Sequence, residues 1–76
     1  MTGVPQDDLS FPELLKLAEQ GNADAQFRIG RVYSSGGNVP QDYAKAVQWF
    51  RIAADQGHSG AQFHLGFMLA KVKARL

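Results

Sequence analysis

The chain has no cysteine, only three prolines and no long apolar run, and each shortage removes a class of protein. Without cysteine there is no disulfide framework and no thiolate-ligated zinc, haem or iron–sulfur site, and the redox compartment is left undecided. The longest uncharged apolar stretch falls far below the ~20 residues that span a bilayer, so no membrane association is expected. The opening MTGVPQDDLS has acids where a secretory leader needs a basic flank and an apolar stretch, which makes a cytoplasmic protein the default expectation. An excess of charge of one sign is also missing. Eight Lys plus Arg against seven Asp plus Glu give a formal net charge of +1, which supplies no long-range field for nucleic acid or acidic lipid. Seventy-six residues hold one small module and exclude a two-domain enzyme. A composition that is 45% apolar and 20% charged lies in the globular range, so the chain is expected to fold.

What is present is an internal repeat. Shifting the chain by 36 residues lays Ala18–Gly30 (AEQGNADAQFRIG) on Ala54–Gly66 (ADQGHSGAQFHLG), with seven identities in thirteen positions. The tetrapeptide VPQD occurs at Val4–Asp7 and again at Val39–Asp42, a shift of 35, so the echo extends nearly end to end. A fixed period of this length marks a stack of similar helical units.

Each period divides into two helices, here called A and B. Gly21 can end one helix in the left-handed conformation while Asn22 caps the next, an A helix with Ala25, Ile29, Val32 and Tyr33 on one face. Ser34–Gln41 (SSGGNVPQ) cannot continue a helix and reads as a loop. Asp42 then caps a B helix with Ala46, Trp49, Phe50, Ala53 and Ala54 at three- and four-residue spacing, stopped by Gly57. A second A helix, capped by His58 or Ser59, runs to about Lys73. At the front, Ser10 and Glu13 have the form of a capping box, with Leu9 and Leu14 placed as a hydrophobic staple, so Phe11–Gln20 is a B helix. The expected order is B-A-B-A: a partial repeat over residues 4–21, a full repeat over 22–57 and a partial repeat over 58–76.

Three stretches then carry a family likeness: A-x-A-Q-x-x-[IL]-G-x-x-Y (Ala23 to Tyr33), G-x-x-V-x-x-D (Gly36 to Asp42) and K-A-x-x-W-F-x-x-A-A-x-Q-G (Lys45 to Gly57). The sequence resembles the Sel-one-like repeat, a relative of the tetratricopeptide repeat, over about Val4–Leu69. Asn38 replaces a usual loop glycine, Glu13 stands at the Trp49 position and Leu69 at the Tyr33 position. The resemblance implies an all-α solenoid of antiparallel helix pairs, an adaptor that binds a protein or peptide partner without chemistry of its own. A small stand-alone regulator, such as an inhibitor or immunity protein, is the alternative. A hydrolase related to β-lactam-binding members is the weakest reading. Ala25, Ala53, Ala54, Ala61, Gly30 and Gly66 are expected to let neighbouring helices approach closely.

Individual residues support no chemistry. Ser10, Ser34, Ser35 and Ser59 are not followed by Lys three positions on, and no G-x-S-x-G elbow occurs. His58 and His64, six positions apart and about 240° around a helix, do not share a metal from one helix. Gly36 and Gly37 lack the Lys of a phosphate loop. No catalytic residue, cofactor or metal site is therefore expected. The basic residues Lys71, Lys73 and Arg75 complement the end of the final helix.

The side of the A helices opposite Ile29 and Leu65 lines the concave groove in tetratricopeptide-like stacks. The candidate partner-binding residues are Asp24, Phe27, Arg31, Phe63, Phe67 and Lys71, with Phe27 and Phe63 also readable as packing residues. The last A helix has no following B helix in this chain, so part of the stripe Leu65, Met68, Leu69, Val72 is expected to be uncovered and to join two copies in a homodimer. The first helix lacks a preceding A helix, so Leu14, Leu15 and Leu17 are not expected all to be buried.

Overall fold

In the computed structural model, residues 9–37 and 39–74 are described. They form four helices, α1 (Phe11–Glu19), α2 (Ala23–Ser35), α3 (Tyr43–Asp55) and α4 (Ser59–Ala74). The first VPQD copy, Asn38 and Arg75 lie outside the described residues, as do the side chains of Val72 and Lys73.

The sequence signals for helix starts are all realised in hydrogen bonds. The Ser10 hydroxyl accepts from the Glu13 backbone N–H, and Glu13 Oε1 accepts from the Ser10 N–H at 3.0 Å, closing the capping box. These bonds, the backbone one foremost, hold the Glu13 carboxyl below its ordinary range. Asn22 Oδ1 accepts from Ala25 N–H at 2.9 Å, and Asp42 Oδ1 from Lys45 N–H at 3.1 Å. Between the two candidate caps of α4, His58 takes the role: its Nδ1 accepts from Ala61 N–H at 3.0 Å.

The helix ends explain why B and A helices join with no linker. After α1, Gly21 has φ 101°, its N–H donates to Ala18 O, and Asn22 N–H reaches back to Leu17 O. After α3, Gly57 has φ 91°, its N–H donates to Ala54 O, and His58 N–H donates to Ala53 O. Both are Schellman turns, and in each the residue that closes the turn also caps the next helix. The A-to-B connection is looser. There α2 continues through Ser35, past the expected start of the loop, and stops at Gly36 with φ 71°. Asp42 N–H donating to Tyr33 O, and Gln41 Nε2 to Ser34 O, then fold the loop back on the helix.

The helices stack in chain order, α1 on α2, α2 on α3 and α3 on α4, giving an elongated body of 50 × 27 × 16 Å. One apolar cluster joins Leu14 and Ala18 of α1 to Ala25 and Ile29 of α2, with Leu9, Phe11 and Trp49 packed against it. The other joins Ala46, Phe50 and Ala53 of α3 to Ala61 and Met68 of α4. Tyr33 touches both clusters and ties them together. Leu15 and Leu17 are half-buried, as expected of a first helix covered on one side.

Four details differ from the sequence expectation. Trp49 is half-buried while Phe50 is fully enclosed, because Phe50 faces α2 and α4 together and Trp49 lies at the α1–α2 edge. Gln26, which the sequence does not mark as core, is 3% exposed and bridges Ala18 O and the Gln56 amide. Gly66 does not ease a close approach: no atom lies within 4 Å of where its Cβ would be. Met68 is not uncovered but only 6% exposed, since it points into the α3–α4 cluster, and Leu65 is half-buried beside it. Leu69 alone of the described stripe side chains is open, 43% exposed.

Candidate functional site

Side chains of α2 reach across to α4 and to the His58 that caps it. Phe27 is the hinge of this contact. Its ring stacks on His58 at a centroid distance of 4.7 Å, meets the edge of His64 at 5.2 Å and lies 5.8 Å from Phe50. Phe27 is therefore half-buried packing, and the two histidines that do not align along one helix converge on it because His58 precedes α4 while His64 lies within it. No three His, Cys, Asp or Glu side chains gather into a metal-holding set among the described residues.

Around this aromatic centre lie the charges. Asp24 Oδ2 accepts from Arg28 Nε at 3.0 Å, and His58 Nε2 lies 3.5 Å from its other oxygen. The Arg28 bond, and to a smaller degree His58, hold the Asp24 carboxyl below the ordinary carboxylate range, against partial burial that pushes it up. Asp24 is thus an internally paired acid. Arg31 and Lys71 have no carboxylate partner among the described residues. Each instead rests on aromatic faces: the Arg31 guanidinium is 5.8 Å from the Phe27 centroid, and Lys71 Nζ is 5.7 Å from both Tyr43 and Phe67.

The surface here is concave. A hollow of about 490 Å³ is walled by Leu14, Arg28, Arg31, Val32 and His64, and a second of about 300 Å³ by Tyr43, Phe63, His64, Phe67 and Lys71. Ser34 and His64 belong to both, so the two hollows form one furrow over the A helices. Of the six candidate partner-binding residues, Arg31, Phe63, Phe67 and Lys71 line this furrow, while Asp24 and Phe27 do not, being engaged in pairing with Arg28 and stacking on His58. Phe63 is not a packing residue here, being 73% exposed, and Phe67 is 56% exposed. The sequence reading missed Tyr43 and His64. Tyr43 opens α3, outside the A-helix face, and the helical wheel of α4 alone sets His64 on a flank, where only its neighbour α2 makes it part of a furrow.

Residues 23–58 match the Sel1 repeat. The chain belongs to the Sel1-like repeat family, an all-α fold related to the tetratricopeptide repeat and generally one of protein interaction. Among its curated relatives, it is 40% identical over 60 residues to chitin synthase regulatory factor 4 of Schizosaccharomyces pombe, which covers 78% of this chain and 9% of that protein. It is 34% identical over 67 residues to the ERAD-associated E3 ubiquitin-protein ligase component HRD3A of Arabidopsis thaliana, 87% of this chain and 10% of that one. It is 41% identical over 54 residues to protein sel-1 homolog 2 of Mus musculus, 70% of this chain and 8% of that one. The chain thus spans about a tenth of the length of these relatives. No solved structure matches it at comparable significance.

Proposed function

We propose that the chain is a non-enzymatic adaptor module that grips a protein partner in the furrow over α2 and α4. The partner segment is an extended or helical peptide carrying at least one carboxylate and one apolar side chain. The observation that carries this reading is the pair Arg31 and Lys71: two cations held over aromatic rings, at opposite parts of one furrow, without an acid partner among the described residues. A cation fixed on an aromatic face keeps its charge available to a ligand and loses little side-chain freedom on binding. Exposed Phe67 and Phe63 supply apolar area beside it, the combination found at interaction hot spots. The relatives' names agree in kind, since one is a regulatory factor and another a component of a ligase, and neither name describes a reaction carried out by the repeat itself.

Selection of random peptides displayed on phage tests the proposal. Acidic sequences with an interspersed apolar residue are expected, and a variant carrying Arg31→Glu and Lys71→Glu should retain none of them while keeping its helical circular dichroism. Selected peptides without an acidic preference, or held equally by that variant, would overturn it.

A further inference from the structure

The 36-residue frame lays His64 of α4 on Arg28 of α2, and Gly60 on Asp24. On α2 these two positions form a closed pair, with Arg28 Nε donating to Asp24 Oδ2 at 3.0 Å. On α4 a base is kept and the acid is gone. Gly60 leaves little room to restore it, because a Cβ there would stand 3.1 Å from His58 Cε1 and 3.3 Å from Phe27 Cζ. The second unit has thus exchanged a permanent cation with its own counter-ion for a titratable base with none among the described residues. The His64 ring is held in place while its nitrogens are left over. It stacks on Phe50 at 5.4 Å with an interplanar angle of 30°, and meets Phe27 and Phe63 edge-on at 5.2 and 5.7 Å. Neither ring nitrogen makes a hydrogen bond among the described residues.

His64 also stands where the two hollows of the furrow meet. The charged and titratable groups that line these hollows with it are Arg28 and Arg31 from α2, Tyr43 from α3 and Lys71 from its own helix; α1 contributes Leu14 and no charge. No carboxylate of the described residues lines either hollow, and Asp24 and His58, which face each other at 3.5 Å, line neither. We infer that His64 is the central anion-recognising residue of the furrow: in its protonated form it takes a carboxylate of the partner segment, between the hollow of Arg31 and that of Lys71, so that the grip tightens as the pH falls. This rests on the furrow reading above and adds its regulation. Histidine is the side chain whose charge changes between about pH 5 and 8. A carboxylate seated beside an imidazolium favours the charged ring, so binding draws in a proton. The added affinity is therefore complete where the free ring is already protonated, and is lost as the pH rises through the range in which the complexed ring gives up its proton.

The probe is a rhodamine-labelled, Asp-containing peptide from the phage selection, run at neutral pH, and the readout is its anisotropy with the intact chain from about pH 8 to about pH 5.5. The peptide's Asp stays ionised over that range, and Asp24 titrates below the ordinary carboxylate value. Binding should tighten by at least about tenfold from the upper limit to the lower, as a close carboxylate–imidazolium contact gives. His64→Gln should lose this dependence and match the intact chain at the upper limit. His58→Asn, which keeps a capping side chain before α4, should retain it. Proton NMR of the intact chain, with the two histidines assigned by the His58→Asn spectrum, should show the His64 titration midpoint raised by saturating peptide, a readout that needs no substitution at His64. Affinity independent of pH, a midpoint that the peptide does not raise, or a dependence that follows His58 and not His64 would overturn the proposal. A selection without acidic peptides overturns the furrow reading one step earlier, and this proposal with it, so the two failures are told apart.

Discussion

Gly30 and Phe50 fit together as notch and ring: a Cβ on Gly30 would lie 2.7 Å from the Phe50 Cδ1 and Cε1 atoms. This contact sets the spacing of α2 and α3, the complete pair of the stack. Gly66 holds the same place in the repeat with nothing opposite it. The same substitution at the two glycines should therefore have opposite effects. Gly30→Ala is expected to cost about 1–3 kcal/mol by forcing a fully enclosed ring to move. Gly66→Ala should stabilise by up to about 1 kcal/mol, because alanine is the better helix former and meets no obstacle. Urea denaturation of both variants measures the two signs; equal signs would show that the register is wrong.

Phe50 and Trp49 are neighbours with different burdens. Phe50→Ala empties the centre of the α3–α4 cluster and should cost about 3–5 kcal/mol, most of what so small a domain has. Trp49→Ala removes a half-buried ring at the α1–α2 edge and should cost less, about 1–3 kcal/mol. Denaturation midpoints in the reverse order would contradict the packing described.

The two glutamines of the Ala-Gln pairs offer a similar contrast. Gln26 is buried and bonded at both ends of its amide, so Gln26→Ala removes two hydrogen bonds, to Ala18 O and from the Gln56 amide, and should cost about 1–3 kcal/mol. Gln62 is exposed, and Gln62→Ala should cost less than about 1 kcal/mol. Thermal unfolding of both variants distinguishes them.

Acid should weaken the Asp24–Arg28 pair on α2 and, to a smaller degree, the contact of Asp24 with His58. Its carboxyl titrates lower in the folded chain than in the unfolded one, chiefly because Arg28 donates to the charged form. Its contribution is therefore complete above the ordinary carboxylate pKa of 3.8 and is lost as the pH falls from there through the lower folded value. With the side chain 46% exposed, solvent screening limits that contribution to a few tenths of a kcal/mol, roughly the size of a surface pair. Asp24→Asn should flatten the acid limb of a stability-against-pH curve and leave the neutral plateau lower by that amount; an unchanged acid limb would show that the pair contributes nothing.

The helices, their caps and their order are legible in the chain because these are local or periodic features. Ser10 with Glu13, Asn22 and Asp42 each bond within three residues of themselves, and the 36-residue echo reports the stacking order directly. Candidate-site residues are legible only where a single helix defines them. Arg31, Phe67 and Lys71 follow from the face of their own helix. The half-burial of Phe27, the exposure of Phe63 and the place of Tyr43 and His64 in the furrow depend on which neighbour lies across from them. Phe27 and Phe63 show the point most plainly, since they occupy identical positions in the repeat. The first meets α4 and the second meets solvent, a difference that no pattern within either helix encodes.

The most direct measurement of the adaptor reading is an amide NMR titration of the 15N-labelled chain with the acidic peptide that selection returns. The account predicts resonance shifts clustered on Arg28, Arg31, Ser34, His64, Phe67 and Lys71, following the furrow. Shifts confined to the outward face of α3, at Gln48, Arg51, Ile52 and Asp55, would contradict it.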